Sequence, residues 1–129
     1  MSETTVTFEI NEIGSETGNP FNGTFKVKTL LSRREEFIAD ERRRSIVGTL
    51  ANGVAPSLGG EAFMQGQLFV RIVEAPKWWE DSDSGLDLKD LNVIVAVFNA
   101  AMKAEKDRKD KVKDDSQKAL KKMTKKTEE

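Results

Sequence analysis

The stretch Thr4–Glu35, "TTVTFEINEIGSETGNPFNGTFKVKTLLSRRE", decides the fold class, because its apolar residues recur with a period of two and a helix start follows directly. In "TTVTFEI", Val6, Phe8 and Ile10 alternate with Thr5, Thr7 and Glu9, the pattern of a half-buried strand. "GTFKVKTLL" repeats it, with Phe25, Val27 and Thr29 against Lys26 and Lys28. Between them "GSETGNPFNG" is rich in turn formers. An antiparallel β-hairpin over 3–31 with a long loop is predicted. Two strands alone are marginal in water, so their apolar face has to pack on helices or on a second chain. "SRRE", Ser32–Glu35, then fits the S-x-x-E capping box, in which hydroxyl and carboxylate satisfy the free amides of a first helical turn.

Outward from that stretch the pattern is helical, so the class is α+β: a hairpin followed by a small bundle of about three helices over 33–102. The first helix has Phe37, Ile38, Ile46, Val47 and Leu50 around a polar middle, "ADERRRS", and is expected to be mostly solvated or to meet something charged. "NGVAPSLGG" reads as a loop. Over 61–75, Phe63, Val70 and Val73 form one apolar stripe and Met64, Leu68 and Ile72 another, which predicts a helix largely surrounded by protein. "LFVRIV" by itself equally suits a strand; the length of the run favours helix. Pro76 ends it. Asp87 or a neighbour is expected to cap the last helix, with Asp90 in its first turn and Leu91, Ile94, Val95, Phe98 and Met102 facing the core.

At 129 residues the chain has room for one core. The formal charge of -1 favours neither nucleic acid nor a membrane surface. Residues 1–102 carry 10 basic and 15 acidic side chains and 103–129 carry 11 and 7, which divides the chain into an acidic compact domain and a basic, charge-dense tail, helical or disordered, that no apolar stripe anchors. Cysteine and histidine are absent, which removes disulfides, thiolate zinc sites, Cys nucleophiles and His-based catalysis. No run approaches the roughly 20 apolar residues of a membrane span, and "SETT" after Met1 is no signal segment. A soluble, intracellular protein that is not an enzyme and needs no cofactor is expected.

"DSDSGLDLKD" offers Asp81, Asp83 and Asp87 around a glycine, but counted from Asp81 the Gly falls at position five and Asn92 at twelve, the wrong spacing for an EF-hand. An acidic capping loop is expected there, with no metal. Arg33, Arg34, Arg42, Arg43 and Arg44 are interleaved with Glu35, Glu36, Asp40 and Glu41, which favours an ion-paired helix over phosphate binding. The remaining feature is the pair Trp78–Trp79, placed between Pro76 and the acids. In an extended segment adjacent rings point to opposite sides, so one is expected inside and one outside: Trp78 closing the core, Trp79 projecting beside Glu80 and Asp81. The candidate partner-binding residues are Trp78, Trp79, Glu80, Asp81, Arg42 and Arg43.

The order "GTFKVKTLLS", "DERRRSIVG", "VRIVEAPKWW" and "SGLDLKDLNVIVAVFNAAMKAEKD", with its Pro, Trp-Trp, Gly turn and L-x-D-x-N-V-I, resembles the small tail-assembly chaperones of long-tailed bacteriophages over about residues 23–107. The resemblance implies a non-enzymatic, mostly helical protein of the infected bacterial cytoplasm, binding the tape-measure and tail-tube proteins or itself, without small-molecule substrate, nucleic acid or membrane. The alternative reading is a structural virion component: a capsid-cementing, connector or tail protein. Oligomerisation is open under both.

Overall fold

The computed structural model describes residues 4–49 and 56–128. Strands β1 (Thr5–Ile13) and β2 (Pro20–Lys28) pair antiparallel in unbroken register from Thr5↔Lys28 to Ile13↔Pro20. The pairing runs further than the sequence pattern indicates, so the connection is only Gly14–Asn19. Gly14 N donates to Asn19 O (2.8 Å) and Gly18 N to Gly14 O (2.9 Å), with Gly18 at φ 74°, a left-handed conformation that glycine adopts without a steric penalty.

Helix α1 (Arg33–Thr49) begins at the predicted capping box: Glu35 N donates to Ser32 Oγ (3.1 Å) and Ser32 N to Glu35 Oε1 (3.0 Å). The other oxygen of Glu35 accepts from Lys28 at the end of β2, and chiefly that bond holds the Glu35 pKa down at about 2. Helix α2 (Pro56–Arg71) packs along α1. The crossing is close because Gly66 has no Cβ: one built there would lie 2.4 Å from Ala39 O. This is where the polar middle of α1 is buried, through Ala39 alone.

The helix expected over 61–75 stops at Arg71, and Ile72–Glu74 form β3, the second neighbour of β2 in a sheet ordered β1-β2-β3. The β-branched Ile72 and Val73 suit a strand, and pairing supplies backbone partners that a helix halted by Pro76 would lack. Pro76 then rests on β2 at Gly23, where a Cβ would lie 2.2 Å from its ring. Lys77–Glu80 make a single helical turn, α3.

Helix α4 (Leu91–Glu128) runs antiparallel to β1 across the sheet. Asn92 Nδ2 donates to Ile13 O (2.8 Å) at one end of the strand; at the other, Arg108 Nε donates to Thr29 O (2.8 Å) beside Thr4. Its sheet-facing side is Val93, Val97 and Ala101, all fully buried, with Ile94 beside them. That shifts the predicted stripe by part of a turn: Leu91 is exposed, whereas Ile94 lies in the core and Phe98 and Met102 pack against it half-buried, Phe98 also meeting Phe63 of α2 (6.4 Å between centroids). The core joins Ile10, Phe25, Val27, Leu68, Trp79, Ile94, Val97 and Ala101. Contacts with the body also continue beyond Lys103, contrary to expectation. Besides Arg108, Glu105 pairs with the buried Arg71 (3.3 Å), an ion pair by distance whose geometry is not that of a hydrogen bond.

Candidate partner-binding surface

The two tryptophans occupy the reverse of their expected roles. Trp79 is 1% exposed, edge-on to Phe25 (5.5 Å), whereas Trp78 is half-buried against Phe21 (5.0 Å) and donates Nε1–H to Asn22 O (2.9 Å). The expectation rested on an extended segment, but Trp79 N and Glu80 N both donate to Pro76 O, and Asp81 N donates to Lys77 O. In that turn adjacent side chains lie about 100° apart rather than opposite, and the second ring swings into the core. Trp79 therefore leaves the set of exposed anchors. Glu80 and Asp81 are exposed, as expected of them.

After α3 the chain makes a tight turn laid over the Trp79 ring. Asp83 and Ser84 have φ of 55° and 56°, and Gly85 of 87°. Three consecutive left-handed residues, two of them not glycine, are a strained arrangement that the surroundings must impose. Gly85 is required twice over, since a Cβ would stand 2.5 Å from the Trp79 ring. Ser82 Oγ donates to Trp79 O (2.7 Å) and accepts from Gly85 N (3.1 Å), and Gln65 Nε2 of α2 donates to Gly85 O (3.2 Å). From α1, Arg42 reaches Asp83 (3.3 Å) while its guanidinium lies 4.7 Å from the Phe69 ring centre. Arg43 instead pairs with Asp40 of its own helix (2.9 Å). The structure thus brings Arg42 to the acidic turn but gives Trp78 a different setting, against β2.

The clamped turn presents Leu86 and Leu88 toward α2 and the start of α4. With Ile46, Ala62, Leu91 and Ile94 they line a groove of about 350 Å³ whose polar lining is Glu61, Gln65 and Lys89. Leu86 and Leu91 remain 38% and 39% exposed. Its size is at the lower end for a binding pocket, and its walls are polar and aliphatic in about equal measure, so it suits apolar side chains of a partner segment that also carries polar groups. Sequence periodicity missed it because its lining comes from α1, α2, the turn and α4. The exposed leucines of "GLDLKDL" were the available signal.

A second polar feature stabilises this end of the molecule. Asp90, 1% exposed, stands at the residue before α4 rather than in its first turn, and its carboxylate is engaged by the Gly14–Asn19 loop. Oδ1 accepts from Glu16 N (2.7 Å) and Thr17 N (2.9 Å), and Oδ2 from Thr17 Oγ1 (2.6 Å). These bonds, led by the Thr17 hydroxyl, lower its pKa below the usual carboxylate value. Asn92 completes the latch, accepting from Ser15 N (2.9 Å). Gly14 is needed beneath it, because a Cβ would lie 2.3 Å from the carboxylate.

Among the described residues no cluster of three or more His, Cys, Asp or Glu side chains could hold a metal ion, and no helix is long and apolar enough to cross a membrane. Compared with protein-family models, curated proteins and solved structures, the chain has no significant match.

Proposed function

We propose that this chain is a non-enzymatic assembly protein that receives an apolar segment of a longer partner in the groove between α1, α2, the Ser82–Asp90 turn and the start of α4. The observation that carries this reading is the groove itself: leucines left partly exposed on a turn held in a strained backbone conformation by Trp79, Ser82, Gln65 and Arg42. Strain held in place by surrounding contacts is characteristic of binding sites. A slot lined by leucines and isoleucines together with Glu61, Gln65 and Lys89 fits one edge of an amphipathic helix, where apolar side chains at i, i+3 and i+4 border polar ones. Within that class, the resemblance to phage tail-assembly chaperones supports the tape-measure protein, with its long helices, as the partner, and the tail-tube subunit as a second one.

The test is co-expression with candidate phage tape-measure and tail-tube proteins, comparing wild type with Leu86→Asp/Leu91→Asp. Both leucines are partly exposed, so the variant should keep its melting temperature. Loss of co-purification in the folded variant supports the groove; equal recovery of both forms refutes it. Mass spectrometry of purified particles separates the alternatives, since a chaperone is missing from them and a virion component is present at fixed copy number.

A further inference from the structure

Among the described residues the outer edge of β1 is open over a segment that is symmetric about one residue. Thr29 N donates to Thr4 O and Gly14 N to Asn19 O, so at both ends of the strand the even-numbered residues bond toward β2. By the alternation of an antiparallel ladder, Thr5, Thr7, Glu9, Asn11 and Ile13 direct their amides and carbonyls away from it. Ile13 O is taken by Asn92. What remains is Thr5–Asn11, centred on Phe8. Native edge strands are usually protected by lysine, proline, a bulge or brevity. β1 is nine residues long, in unbroken register, and contains neither lysine nor proline; its charges are Glu9 and Glu12.

We infer that β1 pairs antiparallel with β1 of a second copy about a two-fold axis at Phe8, joining two three-stranded sheets into one of six strands. This register sets Thr5 opposite Asn11 and Thr7 opposite Glu9 on one face, and Val6 opposite Ile10 and Phe8 opposite Phe8 on the other. Shifting the centre to Glu9 would place two carboxylates directly opposite, which is unfavourable. The core supports the same axis. Phe8, Ala96 and Ala100 pack on the core yet are only partly buried, so apolar surface runs out to solvent along this edge. Ala96 and Ala100 lie on the flank of α4 opposite the one that meets α2. Asn92 and Arg108, at the two ends of β1, bring Ala100 roughly level with Phe8. With strands about 4.8 Å apart and α4 lying over β1 and β2, the two α4 helices would lie about 10 Å apart, a normal packing distance for small side chains.

The experiment is sedimentation of the full chain over a micromolar dilution series, with amide exchange followed residue by residue. Dimer is expected at the concentrated end, with the Thr7 and Glu9 amides protected there and at least tenfold less protected after dilution. Thr7→Pro removes an outward amide that β2 does not use and should weaken association tenfold or more; Thr7→Ala keeps the amide and should not. Ala100→Glu, which places like charges near the axis, decides the matter if the proline variant does not fold. A wild-type monomer throughout, or a dimer that neither variant weakens and in which the Thr7 amide stays unprotected, overturns the inference.

Discussion

Replacing Trp79 by alanine removes the largest fully buried side chain of the molecule. A buried indole withdraws about 200 Å² from water, which at about 25 cal/mol per Å² sets an upper value of about 5 kcal/mol. The hole would be bounded by Phe25, Trp78 and the backbone of Gly85, which the Asp83–Gly85 turn and the β2 ladder hold in place, so little collapse into it is expected. Among the described residues the indole N–H has no hydrogen-bond partner, so its removal loses none there. The expected loss is about 4 kcal/mol, within the range for large aromatic truncations. Trp78→Ala should cost about 2 kcal/mol: partial burial, the bond to Asn22 O, and edge contacts with Phe21 and Phe25. The assay is a urea melt of each single mutant, with m unchanged as the condition for comparing midpoints. In the emission spectrum, Trp78→Phe should leave the blue-shifted indole and Trp79→Phe the redder one. Equal losses, or the larger loss at Trp78, would refute the assignment and return the segment after Pro76 to an extended conformation.

Gly66→Ala should destabilise the protein by about 1–3 kcal/mol in the same melt, because its Cβ meets the backbone of Ala39 rather than a movable side chain. The folded pKa of Asp90 is lowered from 3.8 and that of Glu35 lies at about 2 against 4.5, so both contribute stability above their unfolded values and lose it as pH falls through the folded ones. Stability should therefore fall from about pH 4.5 downward, and Asp90→Asn should flatten that acid limb while lowering stability at neutral pH. Truncation after Asp110 should preserve the melting temperature; truncation after Ala104 should lower it by several degrees, through loss of the Glu105 and Arg108 contacts.

Local chemistry made several elements legible. Alternation marked both strands, and Ser32 with Glu35 marked the start of α1, because strand faces and capping boxes depend on residues only a few positions apart. The α+β class came from the change of period between them. Less was legible where two stripes were equally apolar. Residues 91–102 are apolar almost all round, so the side of α4 that meets the sheet was decided by fit: Val93, Val97 and the small Ala101 approach β1 and β2, leaving Leu91 to the groove.

Of the six candidate binding residues, sequence placed Glu80 and Asp81 on the surface because charges resist burial, and neighbouring acids accounted for Arg43. It could not order the two tryptophans, since that depended on one turn of helix after Pro76, and this turn is fixed by the fit of Trp79 against Phe25 and Gly85. Nor could it find Asp90 beneath the Gly14–Asn19 loop, 73 and 74 positions from its partners, or the groove drawn from four separate segments. Period and capping are set within a turn or two of chain and so are written in the sequence. Which faces meet is set by shape and by the partners available to each buried polar group, and those exist only after the chain has closed on itself.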